Sequence, residues 1–256
     1  MNLFGSLAQG YAEARPPLHP LILDRVARRL GNRRFDRALD IGCGSGLSTR
    51  PLRRLAAHTF GIEVAGSMLP LAAGIAPEAR FLAARAEEMP FPGGSIGLLT
   101  AAGSLNYARL DRFFPEAARV LEPDGLLVVY DFSPGREFAG AAGLDDWFAE
   151  FLRRYPWAPD EAQELNPDRL AGISDLFRLD HHEDFAIGLT LSPAFYLEYV
   201  LTETNVAYAV RRGTPIEEIR AWCAQTLAPL FGGRDREVVF RGYLAHLVRV
   251  LAISSL

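Results

Sequence analysis

The run Leu39-Asp-Ile-Gly-Cys-Gly-Ser-Gly-Leu47 constrains this chain more than any other stretch. The short apolar segment leading into it, Phe35 to Ile41, reads as a buried strand closed by glycines. Glycines at alternate positions let the backbone take positive φ and pass close beneath a ligand. Leu47 to Ala57 then reads as a helix, with Pro51 near its first turn, where a missing N–H costs least. Free N–H groups at the start of such a helix can receive a carboxylate or a phosphate.

The alternation repeats downstream. His58 to Glu63 reads as a strand, Ser67 to Ile75 as a helix, Ala79 to Leu82 as a short strand and Ser95 to Ala101 as another. Asp111 is placed to cap a helix reaching Leu121, and the turn Pro123-Asp124-Gly125 precedes the strand Leu126 to Tyr130. Strands alternating with helices of this length indicate an α/β fold, a doubly wound parallel sheet with helices on both faces. After Asp131 the rhythm breaks. Residues 134–176 are aromatic and acidic and read as a helical insertion covering a substrate. Arg178 to Ile187 follows as a strand, 193–210 and 215–230 as helices, and Val238 to Leu251 as a closing strand.

Composition narrows the partners. A net charge of −4 gives no general attraction to nucleic acid or to an anionic membrane. The chain has no lysine, so every basic side chain except histidine is arginine. Cys43 and Cys223 make no disulfide framework. With no leader pattern and no apolar run of about 18 residues, a cytoplasmic protein is expected. His181 and His182 are neighbours on a strand and point to opposite faces, so they cannot chelate one ion, and no metal site is expected.

Two cofactors compete for the glycine turn. A dinucleotide fold places its third glycine where this chain has Leu47; here it comes one residue early, at Gly46. Asp40, at the strand end, would repel a pyrophosphate but suits an aminoacyl ammonium. Glu63, 21 residues beyond Gly42, ends the second strand, where a carboxylate can accept from both ribose hydroxyls. A solvated surface acid would explain Glu63 alone, though less well its position beside the crevice.

At these residues the chain resembles the class I S-adenosylmethionine-dependent methyltransferases, in particular their small-molecule (type 11, trans-aconitate methyltransferase-like) subgroup. Tyr11-Ala-Glu-Ala-Arg-Pro16 resembles the family's lead-in, and Asp40 to Gly46 its first motif. Phe60 to Met68, Ala86 to Pro92 and Val120 to Gly125 match later motifs in order. The resemblance implies one domain over residues 1–256, with seven strands in the order 3-2-1-4-5-7-6 and the last antiparallel. It also implies a lid over residues 1–17 and S-adenosylmethionine as cofactor. The implied cofactor contacts are Arg15, Asp40, Gly42, Cys43, Gly44, Gly46, Glu63, Met68, Ala86, Glu87 and Ala101.

Three positions depart from that pattern. Arg85 replaces the acid that takes the adenine amino group, and an arginine has only donors. Gly97 replaces an acid near the start of the fourth strand, and Asn106-Tyr107 replace a His-Trp pair. Asn106, Tyr107 and Tyr11 are the foremost acceptor-pocket candidates, with Arg15, Asp131, Tyr196 and Glu203 beside them. The turn Ala101 to Tyr107 lacks the Pro-Pro pair that positions a flipped base, so a small organic acceptor is expected, methylated on a carboxylate or hydroxyl oxygen. The alternative is a catalytically silent protein that binds the cofactor and regulates or partners another.

Overall fold

The computed structural model describes residues 14–159 and 162–250. These fall into two compact units.

The larger unit comprises Pro17–Asp131, Ala162–Phe185 and Tyr243–Leu256. Its frame is the parallel set β1 (Phe35–Ile41), β2 (Ala56–Glu63), β3 (Arg80–Ala83), β4 (Ile96–Ala102) and β5 (Leu121–Phe132). β1 lies between β2 and β4, with Leu39 opposite Phe60 on one side and Leu99 on the other. Helix α1 (Leu18–Leu30) leads into β1, and α2 (Leu69–Ile75) and α3 (Leu110–Val120) connect later strands. α3 sends Phe113, Phe114, Ala117 and Val120 into a core with Leu39, Leu99 and Leu127. These are the uninterrupted apolar positions of strands buried on both faces.

Four more strands and helices complete the described sheet and its surroundings. β6 (Glu137–Phe138) and the long β7 (Phe177–Leu191) and β8 (Arg236–Arg249) bring the sheet to eight strands. Its order is β3-β2-β1-β4-β5-β8-β6, with β7 also paired to β8. The expected order is therefore present, with β8 and β7 as its last two members. The two-residue strand β6 is an addition that no sequence pattern announced. A short helix, α5 (Pro167–Ala171), begins at Asn166, whose side chain accepts from the Arg169 N–H at 2.9 Å.

The smaller unit comprises Met1–Pro16, Phe132–Glu161 and Ala186–Gly242. It holds α4 (Leu144–Arg154), α6 (Pro193–Leu201), α7 (Thr204–Arg211) and α8 (Ile216–Phe231). Trp147 stacks on Phe151 and Trp222 at 5.2 and 5.6 Å between centroids, and its indole N–H reaches Thr226 at 2.7 Å. Tyr196 is fully buried, and its hydroxyl donates to the Gly135 carbonyl at 2.6 Å.

Three sequence expectations need correction. The helix expected over 47–57 is a five-residue 3₁₀ turn, Arg50–Arg54, and β2 already begins at Ala56. Pro51 has no N–H to donate, and the bonds from Leu52 to Thr49 and from Leu55 to Leu52 close over three residues rather than four. Asp111 does not cap α3. Arg109 holds that position, and its backbone N–H donates to Glu87 at 2.6 Å. The single helix expected over 193–210 breaks at Thr202, whose hydroxyl bonds back to the Tyr199 carbonyl, while Glu203 turns extended.

Candidate functional site

The site grows from the turn after β1. Gly42, Gly44 and Gly46 have φ of 64°, 52° and 86°, a region costly for any residue with a Cβ. A Cβ on Gly42 would stand 2.5 Å from the Ser104 Cβ, and one on Gly46 would stand 3.0 Å from the Ala72 Cα. The first glycine thus lets the turn close against the loop after β4, and the third lets α2 approach. Ser104 locks that closure, donating to the Ile41 carbonyl at 2.5 Å. Nothing in the local pattern of the sequence singled Ser104 out, because its partner is a backbone carbonyl more than sixty residues away.

Asp40 lies under this turn with no exposed surface. One carboxylate oxygen accepts from the hydroxyls of Ser48 and Thr49, both at 2.6 Å, and the other from Thr100 at 2.9 Å. Burial lifts its pKa from 3.8 to about 6 against the pull of those three hydroxyls, and the charge on Glu63 adds to the rise. In this arrangement Asp40 braces the turn from behind and gives its hydrogen bonds to the protein. The contribution left for a ligand is its field.

Glu63, at the end of β2, accepts the Gly44 N–H at 3.0 Å on one oxygen and the Ala65 N–H at 2.8 Å on the other. Each oxygen keeps a second lone pair. The carboxylate borders a cleft of about 140 Å³ formed with Ile41, Gly42, Val64, Ala84 to Glu87, Ser104, Tyr107 and Ala108. Thus Gly42, Glu63, Ala86, Glu87 and Tyr107 come together at one cleft, and Arg85 joins them. Tyr107 is 60% exposed.

The remaining candidates are placed elsewhere. Cys43 is buried, and desolvation, with the charges of Asp40 and Glu63, pushes its thiol far above the ordinary range, so it supplies no thiolate. Ala101 has no exposure and belongs to the core of the sheet. Met68 sits half-buried in the 3₁₀ turn before α2, outside the cleft lining. Glu87 gives one oxygen to the start of α3 through Arg109. Asn106 donates to Asp131 at 2.8 Å, and its carbonyl accepts from the Gln163 N–H at 2.8 Å. The Gln163 amide also reaches the Ala108 carbonyl at 2.8 Å, so this residue braces the loop that carries Tyr107. Arg15, Tyr196 and Glu203 belong to the smaller unit, where Arg15 pairs with Glu203 at 3.1 Å and faces the Tyr199 ring. Tyr11 lies outside the described residues, as does all of the expected lid before Ala14.

Gly97 has a packing explanation. A Cβ there would stand 2.9 Å from the Phe35 ring and 3.2 Å from Glu122, at the end of β4 opposite the cleft. The glycine accommodates a neighbour, and its departure from the expected acid leaves the cleft unchanged. Among the described residues no helix is long and apolar enough to cross a membrane.

Known proteins can be set beside this geometry. Residues 39–129, from the glycine turn through β5, match the family model of the type 11 "Methyltransferase domain". A demethylmenaquinone methyltransferase of Tropheryma whipplei is 33% identical over 145 residues, covering 54% of this chain and 60% of the relative. The chain thus spans about half to three-fifths of the length of the curated relatives it matches. Among solved structures, one described as a "Putative Type II Methyltransferase" from Anaeromyxobacter dehalogenans superposes with a TM-score of 0.69 at 21% identity, covering 92% of this chain and 97% of that one. A geranyl diphosphate C-methyltransferase from Streptomyces coelicolor superposes at 0.51 with 18% identity, covering 91% and 75%. Residues 39–129 thus match a methyltransferase domain model, and the described sheet has the class I methyltransferase fold.

Proposed function

We propose that the protein transfers a methyl group from S-adenosylmethionine to a small organic acceptor. The observation that carries this reading is the pair of carboxylates at the glycine turn. Asp40 and Glu63 are close enough for the charge of one to raise the pKa of the other. Their joint negative field disfavours a pyrophosphate and favours a cationic ligand with ammonium and sulfonium groups. The open lone pairs of Glu63 suit ribose hydroxyls, and the Gly42 cradle, which a Cβ would fill, suits close backbone approach. When bound, the cofactor supplies an electrophilic methyl for in-line displacement. The chain's part is to hold and orient both reactants and to keep water out.

Within that reading the acceptor atom we favour is a carboxylate or hydroxyl oxygen. Arg85, at the cleft in place of the usual acid, offers a fork of donors that matches a carboxylate. A carboxylate arrives deprotonated and needs no base, in keeping with a cleft that no histidine or thiol lines among the described residues. The relatives named above act on demethylmenaquinone and geranyl diphosphate, so an apolar carbon acceptor is the competing possibility.

S-adenosylhomocysteine is expected to raise the melting temperature, through binding to the native state, while NAD does not. A shift with NAD and none with millimolar S-adenosylhomocysteine would defeat the proposal. The acceptor chemistry is read by incubating the protein with methyl-labelled cofactor and a metabolite extract. A methyl ester releases labelled methanol in alkali, whereas an ether or a C-methyl product retains its label. A cofactor-dependent melting shift without any labelled product would support the silent-binder reading, which rests on Arg85.

Glu63→Ala is expected to weaken S-adenosylhomocysteine binding by about 1.5–3 kcal/mol, roughly ten- to a hundredfold, through loss of charge-assisted bonds. The fold should survive, because both backbone donors that Glu63 engages lie near solvent at the cleft rim. Calorimetry that finds an unchanged affinity would return Glu63 to a purely structural part.

A further inference from the structure

The smaller unit contains a second cavity, of about 580 Å³, which the cofactor reading does not use. Tyr155, Trp157 and Tyr208 supply its aromatic wall, and Arg154, Arg212 and Glu218 its charges. Its volume lies within the usual range for small-molecule sites.

The charges in this cavity are not equivalent. The Arg154 guanidinium lies 5.6 Å from the centre of the Tyr155 ring and 5.7 Å from that of Trp222, and it faces Glu218 at 3.5 Å, so its charge is already balanced. Arg212 lies 5.6 Å from the Tyr208 ring and donates to its hydroxyl at 3.2 Å. No carboxylate among the described residues forms an ion pair with Arg212. The ring contact orients the guanidinium while leaving most of its donors available, as a preformed anion receptor requires. Trp157 is the other unusual feature: an indole flanked by Pro156 and Ala158 that stays 43% exposed at the cavity wall. Large exposed aromatics beside a fixed cation are matched by a ligand with one flat apolar face and one anionic end.

We propose that this cavity binds a small planar aromatic carboxylate, whose ring packs on Trp157 and whose carboxylate takes the free donors of Arg212. The site belongs wholly to the smaller unit and needs no cofactor.

The test is calorimetric titration of the full chain with 1-naphthoate, alone and with saturating S-adenosylhomocysteine. One binding event is expected, unaffected by S-adenosylhomocysteine. Arg212→Gln should weaken it about tenfold or more, since the charge-assisted pair is lost. Trp157→Ala should weaken it several-fold, and neutral 1-naphthalenemethanol should bind about tenfold less tightly than the acid to the unaltered protein. Arg212 and Trp157 are both exposed, so neither variant should change the melting temperature. Absence of binding overturns the proposal, as does binding indifferent to both variants. Binding abolished by S-adenosylhomocysteine also overturns it, because the naphthoate would then occupy the cofactor cleft. None of these outcomes bears on whether the protein transfers methyl groups.

Discussion

Gly42→Ala is expected to lower stability by about 2–5 kcal/mol and to abolish measurable S-adenosylhomocysteine binding. Two separate costs meet at this position. The φ of 64° costs an alanine about 1–2 kcal/mol. The added Cβ would also stand 2.5 Å from the Ser104 Cβ, an overlap that must push the turn away from the loop after β4 at a further 1–3 kcal/mol or so. Ser104 cannot easily retreat, because its hydroxyl is held at 2.5 Å by the Ile41 carbonyl. A neighbouring glycine separates the two costs. At Gly44 φ is 52°, but a Cβ would meet nothing within 4 Å, so Gly44→Ala should show the backbone cost alone. The double variant Gly42→Ala/Ser104→Gly should recover part of the loss, because it removes the clashing atom and leaves the strained φ. Urea denaturation of the four proteins reads each quantity. Equal losses at Gly42 and Gly44 would mean that the contact with Ser104 decides nothing.

The same contrast shows what was legible in the sequence. The glycine turn, the acid before it and the acid at the end of β2 could be read because each is set by local backbone geometry or by distance along the chain. The central strands were readable because burial on both faces leaves uninterrupted apolar runs such as Leu126 to Tyr130. What stayed hidden depends on partners distant in the sequence. Ser104 matters through the Ile41 carbonyl, Gln163 through the loop of Asn106 and Ala108, and Gly97 through the Phe35 ring. The 3₁₀ turn over Arg50–Arg54 was hidden for another reason. Its residues other than Pro51 have ordinary helical propensity, and the early start of β2 at Ala56 leaves too little chain for a full helix. Asp40 was read correctly as an acid at a strand end. Its three hydroxyl donors could not be foreseen, because Thr100 comes from β4, sixty residues on.

Those three hydroxyls lead to a second large effect, in the dependence of stability on pH. An isolated aspartate titrates near 3.8, whereas burial carries Asp40 to about 6 in the folded protein. Between these values the native state holds a proton that the unfolded chain has released. Stability from this group therefore falls as pH rises through the window, and the full penalty of the buried charge is present above about pH 6. A rise of this size corresponds to roughly 3 kcal/mol. Asp40→Asn cannot titrate, and it keeps one oxygen to accept from the surrounding hydroxyls. The stability of the variant relative to the native protein should then climb by roughly 2–2.5 kcal/mol between pH 4 and pH 7, whatever its value at the acid end. Other titrating groups are common to both proteins and cancel in the difference. Denaturant midpoints measured across that range give the slope directly. Curves that run parallel would show that Asp40 titrates alike in the folded and unfolded chain, with its hydroxyls offsetting its burial. A slope of the expected sign would mean that the fold retains a costly charge beneath the glycine turn, where a cationic ligand would recover part of that cost on binding.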